Sequence, residues 1–222
     1  PHPFLVPVWG GDGLVVQSRP EVTHVCVTNA DVGSPAVVNA AEFDHNFAAM
    51  SQGCLEGLDW DHLFVAGGSV LGCLLPGFME AGVPGHNGFS SSDIDIFVVG
   101  CSTDEQATAV VRASVATLVA SGYRGDVLTS PHSVTLMGCP PLRHIQFVLR
   151  RYLSPVEVLL GFDVDSCCFG YDGRTVYGIP RSIHSIVSRS NVVNLGRRSL
   201  TYEARLLKYA GRGFSIGIPG LD

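Results

Sequence analysis

Asp93 and Asp95 stand two residues apart in Ser91-Ser92-Asp93-Ile94-Asp95-Ile96-Phe97. On an extended strand, residues two apart share a face, so both carboxylates point one way and Ile94 and Ile96 point into a core. Carboxylates ~7 Å apart along a strand repel unless a counter-charge offsets them. A divalent cation does so, and oxygen ligands of this kind favour Mg²⁺ or Mn²⁺. Phe162-Asp163-Val164-Asp165 repeats the spacing, and either acid could bring a further carboxylate to the same ion. Val65-Ala66-Gly67-Gly68-Ser69 offers a different chemistry. A strand turning through two glycines into a helix presents bare backbone N–H groups, and with the Ser69 hydroxyl such a place binds phosphate. The segment is neither a Walker A loop nor a dinucleotide fingerprint, because the required spacings are missing. Plainer readings stand beside each feature: a solvated strand face for Asp93 and Asp95, a charged hairpin edge for Asp163 and Asp165, and close strand-to-helix packing for the glycines.

These residues need elements to hold them. His62 to Ala66 reads as a short apolar strand, and Val70 to Leu75 as the first turns of a helix that Ser69 caps. Asp93 to Val99 reads as a strand after a glycine- and serine-rich loop over 76–92. Asn39 to Leu58 fits one apolar helix face, and Thr103 to Ser121 reads as a helix capped by Thr103 and ended by Gly122. Strands are expected at Asp126 to Thr129, Ser133 to Met137 and Leu142 to Arg150. Ser154-Pro155 opens a short helix to Leu160. Phe162 to Tyr171 and Thr175 to Ile179 read as a hairpin closed by a two-residue Asp172-Gly173 turn. Helices follow from Pro180 to Arg189 and from Ser199 to Arg212. Short strands are also expected at Leu14 to Gln17 and His24 to Thr28. The order predicts an α/β (α+β) fold with a mixed central sheet flanked by helices. Residues 1–39 would be a β and loop extension packed on the core, 40–180 the catalytic core, and 181–222 a helical extension completing the cleft.

Gly67-Gly68-Ser69 at a strand-to-helix turn, then Asp93-Ile94-Asp95 on a strand and a later acid, resembles the DNA-polymerase-beta-like nucleotidyltransferase superfamily. The resemblance covers about residues 40–180. Within it, His144-Ile145-Gln146-Phe147-Val148 followed by Phe162-Asp163-Val164 is similar to the template-independent RNA-tailing branch. Arg205-Leu206-Leu207-Lys208-Tyr209 looks like that branch's lysine-bearing helix, although a lone lysine also suits a plain surface. The loop over 76–91 and the segment 154–161 are longer than the family pattern.

The resemblance implies transfer of a nucleoside monophosphate from a nucleoside triphosphate to a hydroxyl. Asp93 and Asp95 would hold two Mg²⁺ (or Mn²⁺) ions, with Asp163, or alternatively Asp165, completing the set. Gly67, Gly68 and Ser69 would hold the β- and γ-phosphates, and Lys208 and Arg181 would reach the triphosphate or pyrophosphate. Arg189, Arg197, Arg198 and Arg212 are further candidates for phosphate contact. The acceptor could be RNA, a nucleotide or a protein. A module that binds a nucleotide or protein partner without turnover, and a metal-dependent hydrolase, are the rival readings.

Composition bounds the rest. Of 222 residues, 46% are hydrophobic and 15% charged, which excludes a disordered tail or a coiled coil. Residues 1–142 carry a balance of −11 and residues 143–222 a balance of +5. That asymmetry is expected to form two walls of one cleft. Seven cysteines without metal-ligand spacing point to a reduced, intracellular protein, cytoplasmic rather than nuclear. No apolar run approaches the ~20 residues of a membrane helix. The start at Pro1 suggests a domain of a larger protein.

Overall fold

The computed structural model describes residues 3–9, 35–82 and 84–220, so the strands expected at Leu14 to Gln17 and His24 to Thr28 lie outside the described residues. In chain order the elements are β1 (Val6–Pro7), α1 (Ala40–Ser51), β2 (Leu63–Ala66), α2 (Gly68–Leu74), β3 (Ile94–Val99), α3 (Asp104–Ala120), β4 (Gly125–Thr129), β5 (Ser133–Gly138), β6 (Ile145–Tyr152) and α4 (Pro155–Gly161). A 3-10 turn at Asp165–Cys167 follows, then β7 (Phe169–Tyr171), β8 (Val176–Gly178), α5 (Pro180–Ser188), β9 (Ser190–Val192), α6 (Tyr202–Ala210) and β10 (Ser215–Gly217).

Among the described residues, eight strands form one mixed sheet in the order β1-β8-β7-β2-β3-β6-β5-β4, and β9 and β10 pair in parallel. β3 is antiparallel to β2 and parallel to β6, which puts the two most apolar strands in the middle. Leu63 to Ala66 are all buried, whereas every residue of the edge strand β4 is exposed. Val65, Ile94, Ile96, Ile145 and Phe147 look into the larger core, shared with side chains of α1, α2, α3, α5 and α6. Phe64, Ala66, Phe97 and Val99 pack with Val158 and Leu159 of α4 in a smaller core on the opposite face. The Asp95 side chain stands on that second face, because Ala66 is its register partner.

The helices begin where their chemistry predicts. Asn39 accepts from the Glu42 N–H at 2.9 Å, and Thr103 accepts from the Gln106 N–H at 3.1 Å. Pro155 occupies the first turn of α4.

Five expectations need correction. α1 stops at Ser51 and not near Leu58, because Gln52 takes a left-handed conformation with φ 53°. The helix after β2 is capped by Gly67, and Ser69 lies inside it, buried. Phe162 to Tyr171 is not one strand: the chain makes a 3-10 turn at Asp165–Cys167, and only Phe169–Tyr171 pairs. Asp163 and Asp165 therefore do not share a strand face. The hairpin loop spans Asp172 to Thr175, four residues, because the Asp172 carboxylate accepts from the Arg174 and Thr175 N–H groups and widens the turn. The carboxyl-terminal segment also contains β9 and β10 between and after its helices.

Candidate functional site

β2 delivers the chain into Gly67, whose φ of 97° only glycine adopts without strain. The Gly67 N–H donates to the Phe169 carbonyl at 3.0 Å, which ties the turn to β7. A Cβ placed on Gly67 would stand 3.9 Å from Asp95 Oδ2 and 3.4 Å from the Phe162 ring. One placed on Gly68 would stand 2.9 Å from Tyr209 Oη, 3.6 Å from Ser92 Oγ and 3.7 Å from Arg212 Nη1. The bare turn is thus overlooked by β3, by the loop before it and by the end of α6.

Two polar atoms at this turn have no hydrogen-bond partner although they are buried: Ser69 Oγ and Arg212 Nη1. Ser69 is 1% exposed. Arg212 is held rigidly. Its Nη2 donates to Ser92 Oγ at 3.2 Å, and its guanidinium lies 4.1 Å from the Phe89 ring centre and 5.1 Å from that of Tyr209. Leaving such donors unmade costs roughly 1–3 kcal/mol each, so a fold keeps them when something else uses them.

Asp93 is exposed and Asp95 half-buried, side by side on the same face. Burial pushes the Asp95 carboxyl up to about 6, and the neighbouring Asp93 charge adds to the rise. The charges of Arg205 and Lys208 of α6 pull the other way. Arg143 secures the approach to Asp93. Its Nη1 donates to the carbonyls of Phe89 at 2.7 Å and Ser92 at 2.8 Å. Burial lowers its own pKa, and the nearby Asp93 charge partly restores it.

The remaining acids are engaged elsewhere. Asp163 is 6% exposed, accepts from Ser199 Oγ at 2.6 Å and faces Arg205 Nε at 3.3 Å. Asp165 pairs with Arg181 Nη1 at 2.7 Å, and Arg181 Nη2 also donates to the Leu159 and Phe162 carbonyls. That fork joins α4, the 3-10 turn and α5. On β6, the register partner of Asp95 is Gln146, an amide that donates to Thr135 Oγ1 at 3.1 Å. Among the described residues, no three His, Cys, Asp or Glu side chains converge as a metal-ligand set. The structure brings Gly67, Gly68 and Asp95 together with Asp93 two residues away, while Asp163 pairs with Arg205 and Ser199 and Asp165 with Arg181.

Arg143 and Ser92 escaped the sequence reading. Arg143 reaches carbonyls 54 and 51 positions earlier in the chain, and no local spacing signals such a contact. Ser92 was legible only as part of the Ser91-Ser92-Asp93 run.

The model of a family described as "Gad2: Gabija anti-defense 2 family protein" matches residues 41–189. An uncharacterized protein of Acanthamoeba polyphaga mimivirus is 30% identical over 183 residues, which is 76% of this chain and 38% of that protein. The chain thus spans well under half the length of that relative. Two solved structures of Cid1 share 18% and 20% identity, over 55% and 50% of this chain and 34% and 33% of theirs. One is described for RNA terminal uridylyl transferase activity and the other as a poly(U) polymerase bound to MgGTP. Their TM-scores of 0.31 and 0.28 are too low to bear on function. No helix among the described residues is long and apolar enough to cross a membrane.

Proposed function

The chain belongs to the Gad2 (Gabija anti-defense 2) family, and from that premise we propose that its Asp93–Asp95 face is a metal-dependent nucleotidyl-transfer centre. One observation carries the reading. Asp95 Oδ2 and the unpartnered Arg212 Nη1 lie within 4 Å of where a Cβ would stand on Gly67 and Gly68, and the next residue, Ser69, buries a hydroxyl that has no partner. The turn carries no side chain of its own, and a carboxylate and a guanidinium stand beside it.

The residues present fit a divalent cation. The Asp95 carboxyl is held near 6 by burial and by Asp93, so the pair carries negative charge that its own surroundings do not fully offset. Mg²⁺ is commonly held by one or two carboxylates together with substrate phosphates, and Asp93 and Asp95 would supply that pair. When bound, such an ion offsets charge on the phosphates and lowers the pKa of an attacking hydroxyl.

The chain's own groups do the positioning. Ser69 Oγ and Arg212 Nη1 would donate to β- and γ-phosphate oxygens, and Lys208 and Arg205 would add positive charge on the same side. The acceptor oxygen forms a bond to the α-phosphorus. The bond from that phosphorus to the bridging oxygen breaks, pyrophosphate leaves, and the hydroxyl proton passes to solvent.

The test is pyrophosphate release from each nucleoside triphosphate with Mg²⁺ or Mn²⁺. Release that disappears in the Asp93→Ala, Asp95→Ala double variant supports the centre, and release that survives overturns it. A second reading has its own observation. Asp163 is taken up by Arg205 and Ser199, and not joined to Asp93 and Asp95, which favours a nucleotide-binding module without turnover. Calorimetric binding of a triphosphate with no pyrophosphate release would select it. Either way, the family description suggests that the site serves an action against Gabija defence.

A further inference from the structure

Past Asp95 the carboxylate face of β3 continues to Phe97, two residues or ~7 Å along the strand. There the sheet meets a cleft of about 300 Å³. Its walls include the rings of Phe97, Tyr152 and Phe162 and the guanidinium groups of Arg150, Arg197 and Arg205. Asp163, nine-tenths buried, accepts from Ser199 and faces Arg205. Arg150 pairs with Glu157 at 2.8 Å and lies 4.8 Å from the Tyr152 ring centre. Arg197 has no ion pair among the described residues. Arg197 is therefore the cation of this cleft that no carboxylate among the described residues pairs, in a chain whose net charge is −6.

We propose that this cleft holds the acceptor and that the acceptor is a mono- or dinucleotide carrying a phosphate. The proposal rests on the transfer reading above. Guanidinium groups suit phosphate oxygens, and the phosphate would lie on Arg197 and Arg150. The base would lie against the aromatic rings, which accept any base face. The triphosphate cradle lies at the other end of the carboxylates, at Gly68, so the reacting hydroxyl would reach the α-phosphorus from the Phe97 side. A long RNA fits less well, because the acidic remainder of the chain offers no continuous basic track.

The test is direct binding of the dinucleotide pApA and of its dephosphorylated form ApA to the Asp93→Ala, Asp95→Ala chain, which would not turn over. The expected result is about tenfold tighter binding of pApA, the worth of one charge-assisted contact. Arg197→Ala should reduce pApA to the level of ApA, and Arg197→Lys should restore part of it. Neither change should alter the melting temperature. Equal binding of pApA and ApA, or pApA affinity untouched by Arg197→Ala, overturns the proposal. So does a 20-nucleotide RNA that binds far more tightly than pApA with a steep salt dependence. Pyrophosphate release without any preference for phosphorylated acceptors removes the acceptor proposal and spares the transfer reading. Phosphate-dependent binding in a wild-type chain that never releases pyrophosphate sustains the cleft and removes only the transfer reading.

Discussion

Asp95 concentrates the tension in this site. Its carboxyl sits at about 6 in the fold against an ordinary 3.8. A raised acid favours the fold when protonated, so its contribution is full below pH ~4 and lost as pH rises through ~6. At neutral pH the ionised group therefore costs the fold on the order of 2–3 kcal/mol. Asp95→Asn should raise the melting temperature by several degrees at pH 7.5 without metal, and by little at pH 4. A melting-temperature difference that stays constant across that range would contradict this. Metal binding runs the same way, because it requires the ionised carboxylate. Stabilisation by millimolar Mg²⁺ should be present at pH 7.5 and fade as pH falls through about 6. At Gly68, an added methyl group would meet Tyr209 Oη at 2.9 Å, so Gly68→Ala should weaken triphosphate binding by about tenfold or more in calorimetry.

At the scale of elements, β2, β3 and the turn between β2 and α2 were legible in the sequence. Apolar runs bounded by glycines, with acids at i and i+2, leave few other ways to fold. The strand expected over Phe162 to Tyr171 was not legible, because its alternation matches a strand but its contacts do not. Asp165 is drawn to Arg181 and Asp163 to Arg205, and those partners lie 16 and 42 residues further along. The loop before Asp93 depends in the same way on a distant residue. Arg143→Ala leaves the Phe89 and Ser92 carbonyls without their donor, and should cost roughly 1–3 kcal/mol in urea unfolding with an unchanged slope. No loss of stability would mean that the loop holds itself.

Across the whole molecule, the charge asymmetry seen in the sequence acquires a place. Arg205 and Lys208, from the basic end, act on Asp95, and Arg212 reaches Ser92 beside Asp93. Arg181, from the same end, instead braces the fold against Asp165. The sheet that carries this arrangement tolerates little change at its centre. A Cβ on Gly170 would stand 2.2 Å from the Phe64 ring, so Gly170→Ala should destabilise the chain by about 1–3 kcal/mol.

Transfer of a nucleotide by the Asp93–Asp95 face, as proposed, differs from binding or hydrolysis in where the α-phosphate ends. The measurement is a molar balance with a triphosphate labelled at its α-phosphate, in Mn²⁺ and with a phosphorylated dinucleotide. Transfer yields equal amounts of label in the acceptor and of pyrophosphate in solution, both abolished in the Asp93→Ala, Asp95→Ala variant. Label recovered as free nucleoside monophosphate, or release undiminished in that variant, would contradict it.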